Sequence, residues 1–512
     1  MELVLLPLLR FALGALSLIT RRAARYVFVL GLVIDAVLLF RISLLVLEQG
    51  PIEVTLGGWP SHLGIGFTAD AIGLPIAALI WALGVAVTLY AWRQELRPYF
   101  FVLLHFLIGA ALAMVFTKDL FNAYAALELL TLSSFLLVGY ERRPRQIWAS
   151  LRYLILCSLG MSLFLLGVAV AYYHTGTLSI PKLAVHVAAD PSASWIPLAA
   201  ALLVGGVAVK AGIFLFSLWL PAAHARAMPV VSALLSGVVI KMGVVELFRL
   251  SEIFPLELTF TVLGVATGVL GIVYATQTYD VKRLLAFHTL SQIGYLLIGF
   301  GAGVEAARIG ALDYAVAHGL FKALLFLAVG QAAECAGSSD IRALTLKRTS
   351  IPTATRVAIG VGMLGIVGIP PFAGFAAKAV LESGVHSILV HAMVLLISMG
   401  TAASFSKLLP LLWCRSQATC HRSAALAYGW LGGAIILFMP ISAAVIPQSI
   451  LAADWQWPAY IEATLVIGLG YGLYRLIRKH PFRLPTAIFR LEEGTLIVIA
   501  GVLLVFGLLK LT

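Results

Sequence analysis

Residues 210–250 read KAGIFLFSLWLPAAHARAMPVVSALLSGVVIKMGVVELFRL. Two apolar runs flank a short polar turn, and each run carries one lysine, Lys210 and Lys241. A charged side chain at the centre of a bilayer costs at least about 2.5–3.5 kcal/mol even on the lenient insertion scale, so each lysine needs a packed polar interior or an ion path. The first run is also interrupted by Gly212, Ser217 and Pro221. An interrupted helix survives at membrane depth only where it is buried in protein or lines a cavity. The stretch therefore predicts an all-α polytopic membrane protein with a polar interior.

The rest of the chain agrees. Its 512 residues are 61% hydrophobic and 11% charged, whereas a soluble domain is about 45–50% apolar and about 25% charged. Mean hydropathy is +1.02. Apolar runs near the length that crosses a bilayer lie at 3–20, 25–48, 70–93, 98–116, 119–139, 149–173, 195–219, 228–250, 256–278, 283–303, 310–335, 354–380, 386–411, 424–446, 459–478 and 492–511, about sixteen helices. Arg21, Arg22 and Arg25 follow the first run, which marks a first span and not a removed signal. The net charge of +12 sits in short loop clusters, such as Arg142/Arg143/Arg145 and Arg475/Arg478/Lys479/Arg483. That is how membrane topology is written, not how nucleic acid is bound. The alternation never loses phase, so both termini are expected on the non-cytoplasmic side of a cell membrane.

A second interruption, Gly365, Gly368, Pro370, Pro371 and Gly374, precedes Lys378. The interrupted spans are the seventh and the twelfth. A repeat of five helices inverts its second copy, and paired interrupted helices point to an ion site at the repeat interface. The expected division is flanking helices in 1–97, a first five-helix repeat in 98–250, a second inverted repeat in 256–415, and flanking helices in 424–512.

Ionisable residues inside the apolar runs include Glu128, Lys210, Lys241, His318, Lys322, Lys378 and Lys407. An ammonium whose proton affinity responds to burial and to a nearby carboxylate suits a proton relay, and Glu128 beside Lys210 would form a switching pair. A static ion pair is the alternative. His318 and Lys322 are one helical turn apart and share a face, as a relay or a packed histidine would. His105 and His288 read chiefly as core or interface packing, and Lys282, beside Asp280 and Arg283, as a solvated loop residue. Glu246 and Arg249 form either an exposed pair or an exit path. Ser133, with Thr131 and Ser134, holds water or back-bonds to its helix. Cys414 and Cys420 read as loop cysteines. No phosphate-binding loop, dinucleotide fingerprint or iron–sulfur cysteine pattern occurs, so no metal or other cofactor is expected and energy must come from an ion gradient or a partner.

Residues 210–250, with DVKRLLAFHTLSQIGYLLIGFG, HGLFKALLFLAVG and GIPPFAGFAAK, resemble the antiporter-like membrane subunits of NADH:quinone oxidoreductase, Mrp-type cation/proton antiporters and membrane-bound hydrogenases. The stretch GGWPSHLGIGFTAD, residues 57–70, looks most like the D-type member of the Mrp set. The resemblance implies two inverted five-helix units around a hydrophilic axis. It implies proton-transfer roles for Glu128, Lys210, Lys241, His318, Lys322 and Lys378, with His288, Lys407, His224 and Ser133 as accessory candidates. The implied partners are other membrane subunits, protons and Na+. An energy-coupling subunit for an enzymatic partner, in an inorganic carbon uptake complex or a redox-driven complex, is the alternative. His288 stands where many relatives have serine or tyrosine, and HARAMP departs from the commoner sequence at that turn. Reporter tags on both termini should be accessible from the non-cytoplasmic side, and a cytoplasmic C-terminus would contradict the sixteen-span reading.

Overall fold

The computed structural model describes residues 2–58, 64–345, 350–414, 419–445, 457–479 and 491–511. Cys414 and Cys420 flank residues outside this set, and Arg483 lies outside it. The chain opens with α1 (Glu2–Ile19) and α2 (Ala24–Gln49), then a hairpin of β1 (Ile52–Thr55) and β2 (Gly66–Ala69), then α3 (Gly73–Ala91). The hairpin is antiparallel, pairing Ile52 with Ala69, and it was not legible as strand in the hydropathy. The first repeat holds α4 (Pro98–Phe116), α5 (Leu120–Val138), α6 (Pro144–Thr175), the short α7 (Ile180–Ala189), α8 (Ile196–Ala211), α9 (Leu220–Arg226) and α10 (Pro229–Leu250). The second holds α11 (Glu257–Gln277), α12 (Val281–Gly301), α13 (Glu305–Ala336), α14 (Thr353–Val367), α15 (Ala373–Ser383) and α16 (Ile388–Phe405). Among the described residues three helices follow: α17 (Arg422–Val445), α18 (Trp457–Lys479) and α19 (Leu491–Leu509).

Among the described residues, twelve helices are long and apolar enough to cross a membrane, fewer than the sixteen expected. The difference comes partly from the two interrupted spans, whose halves are each too short to qualify. Both interruptions fall where the sequence placed them. The first half of each ends at a glycine in the left-handed region, Gly212 at φ +73° and Gly368 at φ +85°, where a side chain would be strained. Side chains take up backbone groups released at the first break: the Trp219 indole donates to Val209 O at 2.8 Å, and the Phe214 N–H donates to Thr267 Oγ1 at 3.0 Å.

The repeats match in register. Asp119 caps α5 by accepting from the Asn122 N–H at 2.7 Å, and Asp280 caps α12 by accepting from the Arg283 N–H at 2.9 Å. One constant offset relates Asp119 to Asp280, Tyr153 to Tyr314, and the helix-ending Gly176 to Gly337. The end of each repeat also clamps the end of its first helix. Arg249 donates to the carbonyls of Met114, at 2.7 Å, and Val115. Lys407 donates to the carbonyls of Ala275, Thr276 and Thr278, at 3.0, 2.5 and 3.0 Å. Ala275 and Thr276 are Met114 and Val115 displaced by the same offset.

The flanking helices pack on different parts of this core. The Trp430 indole of α17 donates to Ala82 O of α3 at 3.0 Å. Gly470 lets α18 approach Ala402 and Met399 of α16, and α19 packs on α8, with Val502 against Gly205. At the N-terminus, Arg10 of α1 and Asp35 of α2 form a buried ion pair, with the guanidinium donating to Asp35 Oδ2 at 2.7 and 2.5 Å. His105 of α4 lies beside it, its Nδ1 3.4 Å from Arg10 Nη1, in agreement with a core-packing histidine. Every ionisable member is enclosed, so loss of one partner leaves the other uncompensated. Asp35→Asn should destabilise the protein by about 3–5 kcal/mol, with most of that recovered in Arg10→Met/Asp35→Leu; thermal unfolding in detergent measures both.

Candidate functional site

The interrupted helices hold the lysines of the two repeats in matched surroundings. Lys210 sits two residues before the left-handed Gly212, in the last turn of α8, and is 1% exposed. Its Nζ donates to Thr131 Oγ1 of α5 and, at 3.2 Å, to Tyr153 OH of α6. Tyr153 OH is in turn 2.7 Å from Ser134 Oγ. Glu128 lies on α5 one turn before Thr131, half-buried, within electrostatic range of Lys210 but making no ion pair with it. The expected pair is thus separated, with a threonine and a tyrosine holding the ammonium.

In the second repeat the position matching Lys210, two residues before Gly368, is Ile366. The lysine comes from across the break: Lys378 of α15 reaches back and donates to the Ile366 carbonyl at 3.4 Å. Its Nζ lies 5.0 Å from the Tyr295 ring centroid and 5.9 Å from that of Tyr314. Tyr314 is the counterpart of Tyr153, and Tyr295 that of Ser134. Gln292, the counterpart of Thr131, accepts a hydrogen bond from Tyr314 OH. The two ammonium sites are therefore built from equivalent wall positions, although their lysines come from opposite sides of the break.

Between them lies Lys241 on α10, fully buried. Helix α10 contains a π-helical turn, Leu235–Val239. The Ser236 carbonyl of this turn accepts from Lys241 Nζ at 3.3 Å. The same ammonium is hydrogen-bonded to His318 Nδ1 of α13, which joins the buried ionisable groups of the two repeats. One turn along α13, Lys322 Nζ donates to the Leu285 carbonyl of α12. His318 Nε2 is buried with no hydrogen-bond partner.

The accessory candidates separate. His288 is buried with Nε2 2.6 Å from Ser404 Oγ and with Nδ1 unpartnered. His224 stacks on Phe326, ring centroids 4.6 Å apart, and neither ring nitrogen has a partner. Ser133 back-bonds to Leu129 O at 2.8 Å, the plainer of its two readings. Lys407 is bound to helix-end carbonyls, as Arg249 is in the first repeat. Lys282 is a correction: it is partly buried and donates to the Ala227 carbonyl at 3.1 Å, because the start of α12 packs against α9. Of the two readings of Glu246 and Arg249, burial of both, at 0% and 2% exposure, removes the exposed pair. Tyr153, Tyr295, Tyr314 and Gln292 were missed by sequence reasoning. Their signal is a polar tip inside an apolar span, which single tyrosines also show in ordinary cores.

The charges fall into two kinds. Arg10 has a carboxylate and Arg249 a pair of helix-end carbonyls, so each is fixed by strong acceptors. Lys210, Lys241 and Lys322 are held by hydroxyl, imidazole and carbonyl groups, and no ion pair to them occurs among the described residues. Such an ammonium can release its proton without stranding a buried carboxylate, whose desolvation would oppose the change.

Residues 117–405, more than half of the chain, match the family model for NADH:quinone oxidoreductase/Mrp antiporter transmembrane proteins. The D component of the Na+/H+ antiporter of Alkalihalophilus pseudofirmus is 28% identical over 391 residues, covering 74% of this chain and 79% of that protein. The membrane-bound sulfane sulfur reductase, an archaeal respiratory membrane complex, superposes with a TM-score of 0.80 at 22% identity, over 91% of this chain and 98% of its counterpart. A chain of the Mrp complex from Dietzia sp. DQ12-45-1b gives 0.81 at 22% identity, over 98% of this chain and 59% of its own. These two likenesses carry the fold. The chain belongs to the NADH:quinone oxidoreductase/Mrp antiporter transmembrane family.

Proposed function

We propose that this multi-pass membrane protein is a proton-translocating subunit of a multi-subunit cation/proton antiporter in the cell membrane, with both termini on the non-cytoplasmic side. The observation that carries the reading is the Lys241–His318 contact, made between two repeats that each hold an ammonium among neutral acceptors. Protons enter the axis at Glu128 and Lys210, cross from α10 to α13 through Lys241 and His318, and continue through Lys322 to Lys378. The segments 98–250 and 256–415 act as the two halves, with 1–97 and 424–512 as supports. The two interrupted helices, α18 and α19 each cross the bilayer in this reading.

Helix α5 supports a partner. Phe121, Leu132 and Leu136 are exposed on the stripe that carries half-buried Glu128. A carboxylate is costly on a lipid-facing stripe, so a helix of another subunit covers it. The likeness to a Na+/H+ antiporter component supports Na+ as the exchanged ion, and co-purification of small antiporter subunits distinguishes this assembly from a redox-driven or carbon-uptake complex.

Proton flux in vesicles, normalised to assembled complex, tests the axis. Glu128→Gln, Lys210→Ala and the double variant should each lose flux by about 100-fold or more. The double should be no worse than the singles, as for groups acting together; recovery of flux in the double would instead mark a static pair. The difference between lysines bound as clamps and lysines that exchange protons gives a second expectation. Lys407→Arg should retain flux, because arginine performs the matching task at Arg249, while Lys378→Arg should abolish it, because guanidinium does not release its proton.

A further inference from the structure

Glu246 lies outside this axis and has no role in it. It is fully buried on α10, and neither carboxylate oxygen has a hydrogen-bond partner. The obvious counter-ion, Arg249 one turn on, spends its N–H groups on the carbonyls of Met114 and Val115 and makes no ion pair with Glu246. Other charges act on Glu246 through space: Lys118 and Asp119 from the α4–α5 turn, and Glu252 just beyond α10. Lys118 is also paired with Asp70, at the end of the hairpin, at 3.3 Å.

Lys118 and Asp119 belong at once to this group and to the wall of a cleft of about 70 Å³. Glu53, Thr55 and Thr68 of the hairpin and Ser179 before α7 complete its polar lining. The cleft lies at the end of the first repeat opposite the arginine-rich loops. A buried carboxyl group without a partner keeps a charge only when water or a cation reaches it. Lys118 and Asp119 are the residues shared by the cleft and by the surroundings of Glu246.

We infer that Glu246 is a proton-exchange residue serving a mouth of the first repeat, reached from the cleft between the β1–β2 hairpin and the start of α5 by way of Lys118 and Asp119. The proton passes between water in the cleft and the Glu246 carboxylate, with no other bond made or broken. The inference rests on the proposed proton transport. The Lys118–Asp70 pair ties the end of the hairpin to the α4–α5 turn, which gives the hairpin a part in access.

Proton flux through the whole complex in vesicles tests it. Glu246→Gln is expected to reduce flux per assembled complex by about 100-fold, the scale of one positioned proton-transfer group, with Glu246→Asp restoring part of it. Wild-type flux in Glu246→Gln overturns this inference alone, whereas absence of flux in the wild type overturns the transport reading with it. If Glu246→Gln fails to assemble, Ser179→Cys decides. A membrane-impermeant thiol reagent applied from the cleft side should block flux in Ser179→Cys and not in the parent, and unchanged flux after complete labelling overturns the inference.

Discussion

A bilayer offers no water to an opened helix, so each backbone group freed inside it must be satisfied by the protein. That constraint organises this molecule. At the first break, Trp219 and Thr267 take up groups that the helix no longer pairs. At the second, the acceptor at Ile366 is met by the ammonium of Lys378. The breaks create polar pockets in the core, and the pockets make it tolerable to bury lysines. Without them, Lys210 and Lys378 would lie in apolar spans with nothing to receive their protons.

Much of the fold could be read from the chain because membrane sequences are written in few terms. The breaks were visible as Gly and Pro inside apolar runs, and the axis residues as charges where hydrocarbon should be. Distances between helices were not visible. The separation of Glu128 from Lys210 depends on Thr131 and Tyr153, which approach from two helices. The clamp at Lys407 depends on three carbonyls far away in sequence, and no residue pattern announces a carbonyl. The Arg10–Asp35 pair was hidden because each member sits alone in its own span, and the span count was affected by halves that are short when taken singly.

The two repeats preserve positions more faithfully than residues. Thr131, Ser134 and Tyr153 correspond to Gln292, Tyr295 and Tyr314, and only the last tyrosine is kept. The lysine has changed sides of the break, yet its ammonium returns to the place its counterpart occupies. What is held constant is a polar enclosure beside an opened helix, and several side chains can furnish it. The first repeat has a carboxylate, Glu128, where the second has Thr289, which bonds to Ser236 in the π-turn at 3.0 Å. The halves are thus chemically unequal around a shared geometry.

The clamps at Arg249 and Lys407 have a mechanical consequence. Each fastens the end of a repeat to the first helix of that repeat, closing it as a stiff ring. Neither clamp crosses from one ring to the other. Compliance is then concentrated at the seam, where α10 meets α13 and where Lys241 touches His318. A small slide of one ring against the other would shift the contacts that cross it, Lys241 with His318 and Phe214 with Thr267 among them, so the seam works as a joint that both pockets feel.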